Sequence, residues 1–351
     1  MSIERETVLA VARMRDPAGV VSIYVDVDPL EAASRAPTWL EDFNVEVRRL
    51  NCQERLHELR REIADVVDPS RHGRGRALFF GATVGGAVHS FAVQLPLETS
   101  VRLAERPHLQ PLLEALDEAR PAGIVIVSMA ELRAIELAWG EAADVVRREM
   151  TPPPSEWNER KEPNHLHDED RLHIVRTAAP VVEKLARNRG WDRVVLAGNP
   201  RLTRPLAARI TSHVDATVVE AVTNVLIEDG APQVASRLRS HVAAAGERRA
   251  AALLDLAHDA ALAGGRGAIG VDDVLDAVTE GRAEWVAIDG EAALRASGVR
   301  EPAGGVRLLH RADVADTIIE RALETNATLT VLSGSTHPAL QSAGALAVLR
   351  W

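Results

Sequence analysis

From residue 123 onward, short apolar runs of strand length alternate with amphipathic stretches of helix length. GIVIVSM (123–129), LRAIELAWG (132–140) and a weaker run at 143–149 read as a meander. A helix from about 165 to 189, strand DRVVLAGN (192–199), a helix at 203–213 and strand ATVVEAV (216–222) follow. Strands separated by helices return in the same direction, so this order implies a partly parallel sheet. Thr203 is the expected cap of the second helix, with Pro205 in its tolerant first turn. Between the meander and the first helix lies TPPPSEWNERKEPNHLHDEDRLH, with four prolines and dense charge. Its first half can be neither helix nor strand. A loop this long inside a compact domain is usually functional or disordered.

The flanks extend the α/β pattern. VVSIYVDV (20–27) reads as a strand ended by Asp28-Pro29. Thr38-Trp-Leu-Glu41 has the form of a capping box. One long amphipathic helix is expected from there to Val67. Strands RALFFG (76–81) and AVHSFAVQL (87–95) and a helix at 108–118 complete this part. Residues 231–263 are Ala- and Arg-rich and helical in character. Beyond them come helix 271–280, strands EWVAID (284–289) and VRLLH (306–310), helix 312–324, and strands TLTVLSG (328–334) and GALAVLRW (344–351). The expected fold class is α/β, in three domains, each a mixed sheet with packed helices. The boundaries are 1–119, 120–230 with the long loop 151–164, and 231–351.

A length of 351 residues fits two or three domains. The single cysteine, Cys52, excludes an internal disulfide and a multi-cysteine zinc site. No apolar run approaches the ~18–20 residues of a membrane span, and MSIERETVLA lacks a signal-peptide pattern. A cytoplasmic protein without a membrane partner is expected. The net charge of −10 argues against a protein that coats nucleic acid non-specifically, and no DNA partner is expected. The basic residues are uneven, however. Between 147 and 213 stand thirteen Arg and Lys against nine Asp and Glu. A basic segment in an acidic chain suggests RNA phosphate on one surface, with a solvated helix face as the plainer alternative.

Other motifs carry less. Gly265-Arg-Gly267-Ala-Ile-Gly270 has the dinucleotide spacing, but a helical stretch precedes it where a nucleotide loop needs a strand. It reads as a flexible interdomain turn. His165-x-His167 lacks a recognised ligand spacing on a helix. Ser333-Gly-Ser335-Thr-His337-Pro338 reads as a polar turn between strands, because nothing nearby in sequence would orient the base or form an oxyanion hole. Asp26 and Asp28 could pair as acids, but Asp-x-Asp-Pro is more often a strand terminator. No cofactor, metal ligand or catalytic residue is assigned.

Three features together resemble the archaeal and eukaryotic translation release-factor superfamily, in its bacterial, Pelota- and Balon-like form. The first is Gly270-Val-Asp-Asp-Val-Leu-Asp-Ala-Val-Thr-Glu-Gly281 followed by EWVAID. The second is the closing His337-Pro-Ala-Leu…Gly344-Ala-Leu-Ala-Val-Leu-Arg350-Trp351, similar to the family's closing G-I-A-A-I-L-R-Y. The third is the central segment, where a long loop separates a meander from a long helix, as in the family domain that carries the Gly-Gly-Gln loop. The corresponding segment here, about 151–170, has no glycine and no glutamine. The Asn-Ile-Lys-Ser codon-reading signature is absent as well.

The resemblance implies a release-factor scaffold without release chemistry, acting as a non-catalytic factor at the A site of idle or stalled ribosomes. Its partners would be rRNA at the A site and peptidyl-transferase centre, with elongation factor Tu as a further candidate. Arg160, Lys161, His165 and His167 would lie at the tip of the central domain. Arg147, Arg148, Arg176, Lys184, Arg187, Arg201 and Arg204 would meet phosphates along its flank. Two alternatives stay open. One is a peptidyl-tRNA hydrolase or rescue factor with a different loop, where His165 or His167 would act as base. The other is a protein-binding scaffold that no longer engages the ribosome.

Overall fold

A computed structural model describes residues 5–27, 38–68, 70–71, 73–150, 163–221, 225–296 and 314–351, with the side chains of 38–43 and 163–168 excepted. Loop 151–162, strand VRLLH, Asp28, Arg160 and Lys161 lie outside the described residues. The chain divides into two compact units, Met1–Asp117 with Ala251–Trp351, and Glu118–Ala250.

The first unit opens with α1 (Arg5–Ala12) and β1 (Val20–Asp26). Three short helices follow, α2 (Thr38–Arg49), α3 (Gln53–Glu58) and α4 (Arg60–Val67). Then come β2 (Gly75–Gly81), β3 (Val88–Val93), β4 (Ser100–Ala104) and α5 (Gln110–Glu118). The single helix expected over 38–67 is therefore broken. Leu50 and Leu56 both enter the core, yet six residues along a continuous helix place them about 120° apart. The break at Leu50–Cys52 resets the buried face. Gln53 Nε2 satisfies two of the freed carbonyls, Leu50 O at 2.8 Å and Arg48 O at 2.9 Å.

The sheet order is β3-β2-β1-β4, all antiparallel. The central strands β1 and β2 are buried along nearly their whole length because both faces are covered, whereas the edge strands β3 and β4 are partly exposed. Val21, Ile23 and Val25 pack with Leu56, Leu59 and Val66. Tyr24, Phe79 and Phe91 point the other way, into a core shared with the C-terminal segment.

The C-terminal segment contains β10 (Gly267–Ile269), α9 (Val271–Thr279), β11 (Ala283–Ile288), α10 (Gly290–Ala296), α11 (Val314–Glu324), β12 (Thr328–Val331), α12 (Pro338–Ala343) and β13 (Ala345–Leu349), following a long helix α8 (Ala231–Leu262). The order is β10-β13-β11-β12, with only β11–β12 parallel. Ile318, Ile319 and Val286 join Phe79 and Leu112 in one apolar cluster. Polar clamps close the seam: Arg15 and Arg106 both bind Glu320 of α11.

Two motif readings change here. Gly267 begins a strand, so the glycine run is not the flexible turn expected. A Cβ at Gly267 would stand 2.4 Å from Ala261 N, so the glycine lets this strand lie against the end of α8. The Ser333–Pro338 stretch is a turn that leads into α12 and only then into β13, not a turn directly between strands. His337 Nε2 lies 3.0 Å from Asp255 Oδ1, while the Ser333 hydroxyl donates to Glu114. Asp26 is held by Arg74 at 2.8 and 3.1 Å, which makes it a structural ion pair.

The second unit holds β5 (Ala122–Val127), β6 (Glu131–Ala138), β7 (Glu141–Glu149), α6 (Pro163–Arg189), β8 (Arg193–Gly198), α7 (Pro200–Ile210) and β9 (Thr217–Ala221). The order is β7-β6-β5-β8-β9, antiparallel through the meander and parallel across β5, β8 and β9. α6 and α7 cover one face through Ile174, Ala178, Val182, Leu202 and Leu206. α8 covers the other through Val234, Leu238, Val242 and Ala245.

Candidate functional site

The central sheet decides where each candidate cation goes. Along β6, Leu132 and Ala134 face the α6–α7 layer, whereas Ile135 and Leu137 face α8. Residues paired across antiparallel strands share a face. Arg148 pairs with Leu132 and therefore belongs to the α6–α7 side, at the edge strand. Arg147 pairs with Arg133 and belongs to the α8 side. Adjacent residues of a strand cannot serve one surface.

Their environments differ too. Arg147 Nε donates to Glu131, and the neighbouring Glu131 carboxylate raises the guanidinium pKa further. Beside it, buried Arg133 grips Asp144 at 2.6 and 2.9 Å and donates to the Ile227 carbonyl at 2.8 Å. That contact holds the Asp144 carboxyl below its ordinary range. This side of β7 is a set of internal ties. Arg148 is exposed and has no ion-pair partner among the described residues.

On the covering layer, Arg176, Lys184 and Arg187 of α6 are exposed. Their spacing of eight and three residues keeps them within one face of the helix. Pro180 lies between them and is exposed as well. It removes the ladder bond to the Arg176 carbonyl. Arg187 and Arg189 occupy the last turn of α6, where cations favour the helix dipole. His165 falls in the first turn of α6 and His167 at the start of the second, with side chains outside the described set. The structure thus groups Arg148, Arg176, Lys184, Arg187, Arg201 and Arg204 on one side of the sheet and leaves Arg147 on the other.

α7 is placed differently from the sequence expectation. Its cap is Asn199, whose side chain accepts from Arg201 N at 2.9 Å, and Pro200 takes the first helical position. Thr203 is inside the helix and buried. Its hydroxyl donates to Glu220 of β9 at 2.9 Å. The Asn-Pro pair starts the helix four residues earlier than a cap at Thr203 would.

The shift has an electrostatic consequence. Arg201 and Arg204 lie within the first five residues of α7, at the positive end of its dipole, and its first turn has no acidic residue. Cations there cost about 0.3–1 kcal/mol each. Both are exposed, and neither has a protein partner among the described residues. A helix N-terminus flanked by arginines is an arrangement suited to an anion.

The layer beneath is firm. Trp191 is buried, donates its indole N–H to Glu136 at 2.9 Å, and lies on Gly123, where a Cβ would come within 2.2 Å of the ring. Arg193 is buried beside Asp192 at 2.9 Å and donates to the Arg120 carbonyl at 2.9 Å. Among the described residues, no cluster of three or more His, Cys, Asp or Glu is placed to hold a metal. No described helix is long and apolar enough to cross a membrane.

Residues 107–261, which include every strand of this sheet, match the family model "bacterial archaeo-eukaryotic release factor family 10". No curated protein matches the chain. Among solved structures, Pelota of Archaeoglobus fulgidus is 14% identical, with 79% of each chain covered and a TM-score of 0.39. Archaeal Pelota, from a model of ribosome-bound Pelota and ABCE1, is 20% identical over 79% of this chain and 77% of its own, with a TM-score of 0.43. Dom34 of Saccharomyces cerevisiae is 10% identical over 79% and 80%, with a TM-score of 0.40. The segment 107–261, a little under half of the chain, is thus similar to a bacterial family of archaeo-eukaryotic release factors.

Proposed function

We propose that this chain is a ribosome-associated translation factor that occupies the A site of idle or stalled ribosomes without catalysing release. The observation that carries the reading is the unpartnered pair Arg201 and Arg204 at the N-terminus of α7, inside the segment that matches the release-factor model. These cations oppose the helix dipole, so a stability role does not account for them, whereas RNA phosphate does. Arg148, Arg176, Lys184 and Arg187 extend the same surface. Phosphate contacts position a protein without reading sequence, which suits a factor that need not recognise a codon. The segment 151–170 lacks glycine and glutamine, so the release loop's own chemistry has no residues to act through. Arg160, Lys161, His165 and His167 would form the tip that approaches the peptidyl-transferase centre, with elongation factor Tu as a candidate companion.

The test is the double variant Arg201→Ala/Arg204→Ala. Its affinity for vacant ribosomes should fall, and the slope of log K against log salt should drop by about two. Thermal stability should stay level or rise slightly, since two unfavourable dipole contacts are removed. Unchanged affinity and slope would remove these residues from the interface. A matched loss of stability and binding would show that they serve the fold.

A further inference from the structure

The ends of β5, β8 and β9 that begin each strand border a cleft of about 560 Å³, within the size range of small-molecule sites. Its walls come from distant parts of the second unit: Arg120-Pro121 before β5, the end of α6 through Asp192, the turn 213–215 before β9, and Arg249 on α8. Half-buried Pro121 and Val214 supply its apolar surface, with buried Ala186 and Trp191 packed beneath. That floor is rigid, since Trp191 is fixed by its bond to Glu136 and by its seat on Gly123.

Around the floor stand cations. Arg187 is exposed, with no partner among the described residues. Arg249 lies 3.9 Å from both Asp192 and Asp215, too far for a hydrogen bond to either. Asp192 is already taken by Arg193 at 2.9 Å, so Arg249 keeps its donors. His213 Nδ1 lies 2.8 Å from the Arg209 carbonyl, which assigns its proton there and leaves Nε2 as the second ring position. The remaining carboxylates, Glu183 and Asp215, repel a bare phosphate but accept hydroxyl hydrogens.

One ligand chemistry uses all three features: a flat apolar ring, vicinal hydroxyls and a phosphate. We propose that this cleft binds a ribonucleoside phosphate. Arg187 and Arg249 take the phosphate, Glu183 and Asp215 the ribose hydroxyls, and the Pro121–Val214 surface, backed by Trp191, the base. The source is either a free nucleotide or an unpaired nucleotide in an RNA strand.

Calorimetric titration of the full chain distinguishes them, using each of the four ribonucleoside 5′-monophosphates, their 2′-deoxy forms, and RNA pentamers of each base. The site predicts saturable binding at one per chain, weaker for the deoxy forms and weakened about ten- to a hundredfold by Arg249→Gln. Glu183→Ala should erase the preference for ribose. Binding of monophosphates identifies a free nucleotide, and binding of pentamers alone identifies a strand. No binding by any probe, or binding indifferent to both variants, would overturn the proposal. Arg249 belongs to the helix on the opposite face from Arg201 and Arg204, and no ribosome enters the titration. Arg187 is common to both surfaces, but the tested residues Arg249 and Glu183 are not, so the result stands apart from the ribosome reading.

Discussion

Arg147 and Arg148 are adjacent in the chain and on opposite sides of the sheet. The period of two in a strand settles this, and the same rule lets Arg133 and Arg147 line one side of β6–β7. Sequence reading counted both arginines toward one basic flank, because a charge count carries no direction. Glu114 shows how much a single environment can matter. Burial pushes its carboxyl above the ordinary range, against the lowering effect of the bond from the Ser333 hydroxyl. A raised folded-state pKa favours folding while the group is protonated. That contribution is complete below about pH 4.3, the ordinary glutamate value, and is lost as pH rises through the raised value. Glu114→Gln should therefore flatten the decline in stability over that window. Urea midpoints measured from pH 4 to 7 test it, and parallel curves for wild type and variant would contradict it.

At the scale of elements, long periodic segments were legible. β1, β5, α6 and α8 lie within a few residues of their expected bounds because burial on both sheet faces, or a long amphipathic pattern, marks them strongly. Short pieces were not. β4 has five residues, and α10 and α12 have seven and six. Their form depends on packing against neighbours more than on local periodicity. The start of α7 shows a competition between local signals, in which Asn199-Pro200 prevails over Thr203. If the Asn199 side chain holds that start, Asn199→Ala should cost about 1 kcal/mol in denaturant unfolding. A loss below a few tenths would mean that Pro200 and the buried Leu202 and Leu206 position α7 unaided. The same start decides the functional reading, because it puts Arg201 and Arg204 at the positive end of the helix.

At the scale of the molecule, the α/β class and the partly parallel central sheet were legible from element order alone. The shared core of the first unit was not, since nothing local tells Phe79 that it will meet Ile318 and Val286. The cleft escaped sequence reading for the same reason. Arg120, His213 and Arg249 are far apart in the chain and meet only because parallel strands bring their starting ends together. The basic character of 147–213 was visible as composition, whereas its division into internal ties and free cations required the fold. A phosphate-contacting ribosome factor, as proposed above, must bind ribosomes in a salt-dependent way. Co-sedimentation of the full chain with vacant bacterial ribosomes, at low and near-physiological salt, tests it most directly. Pelleting should persist at physiological ionic strength, with affinity falling on the order of a thousandfold between 50 and 200 mM salt for six phosphate contacts. Absence of pelleting at both salt concentrations would contradict it.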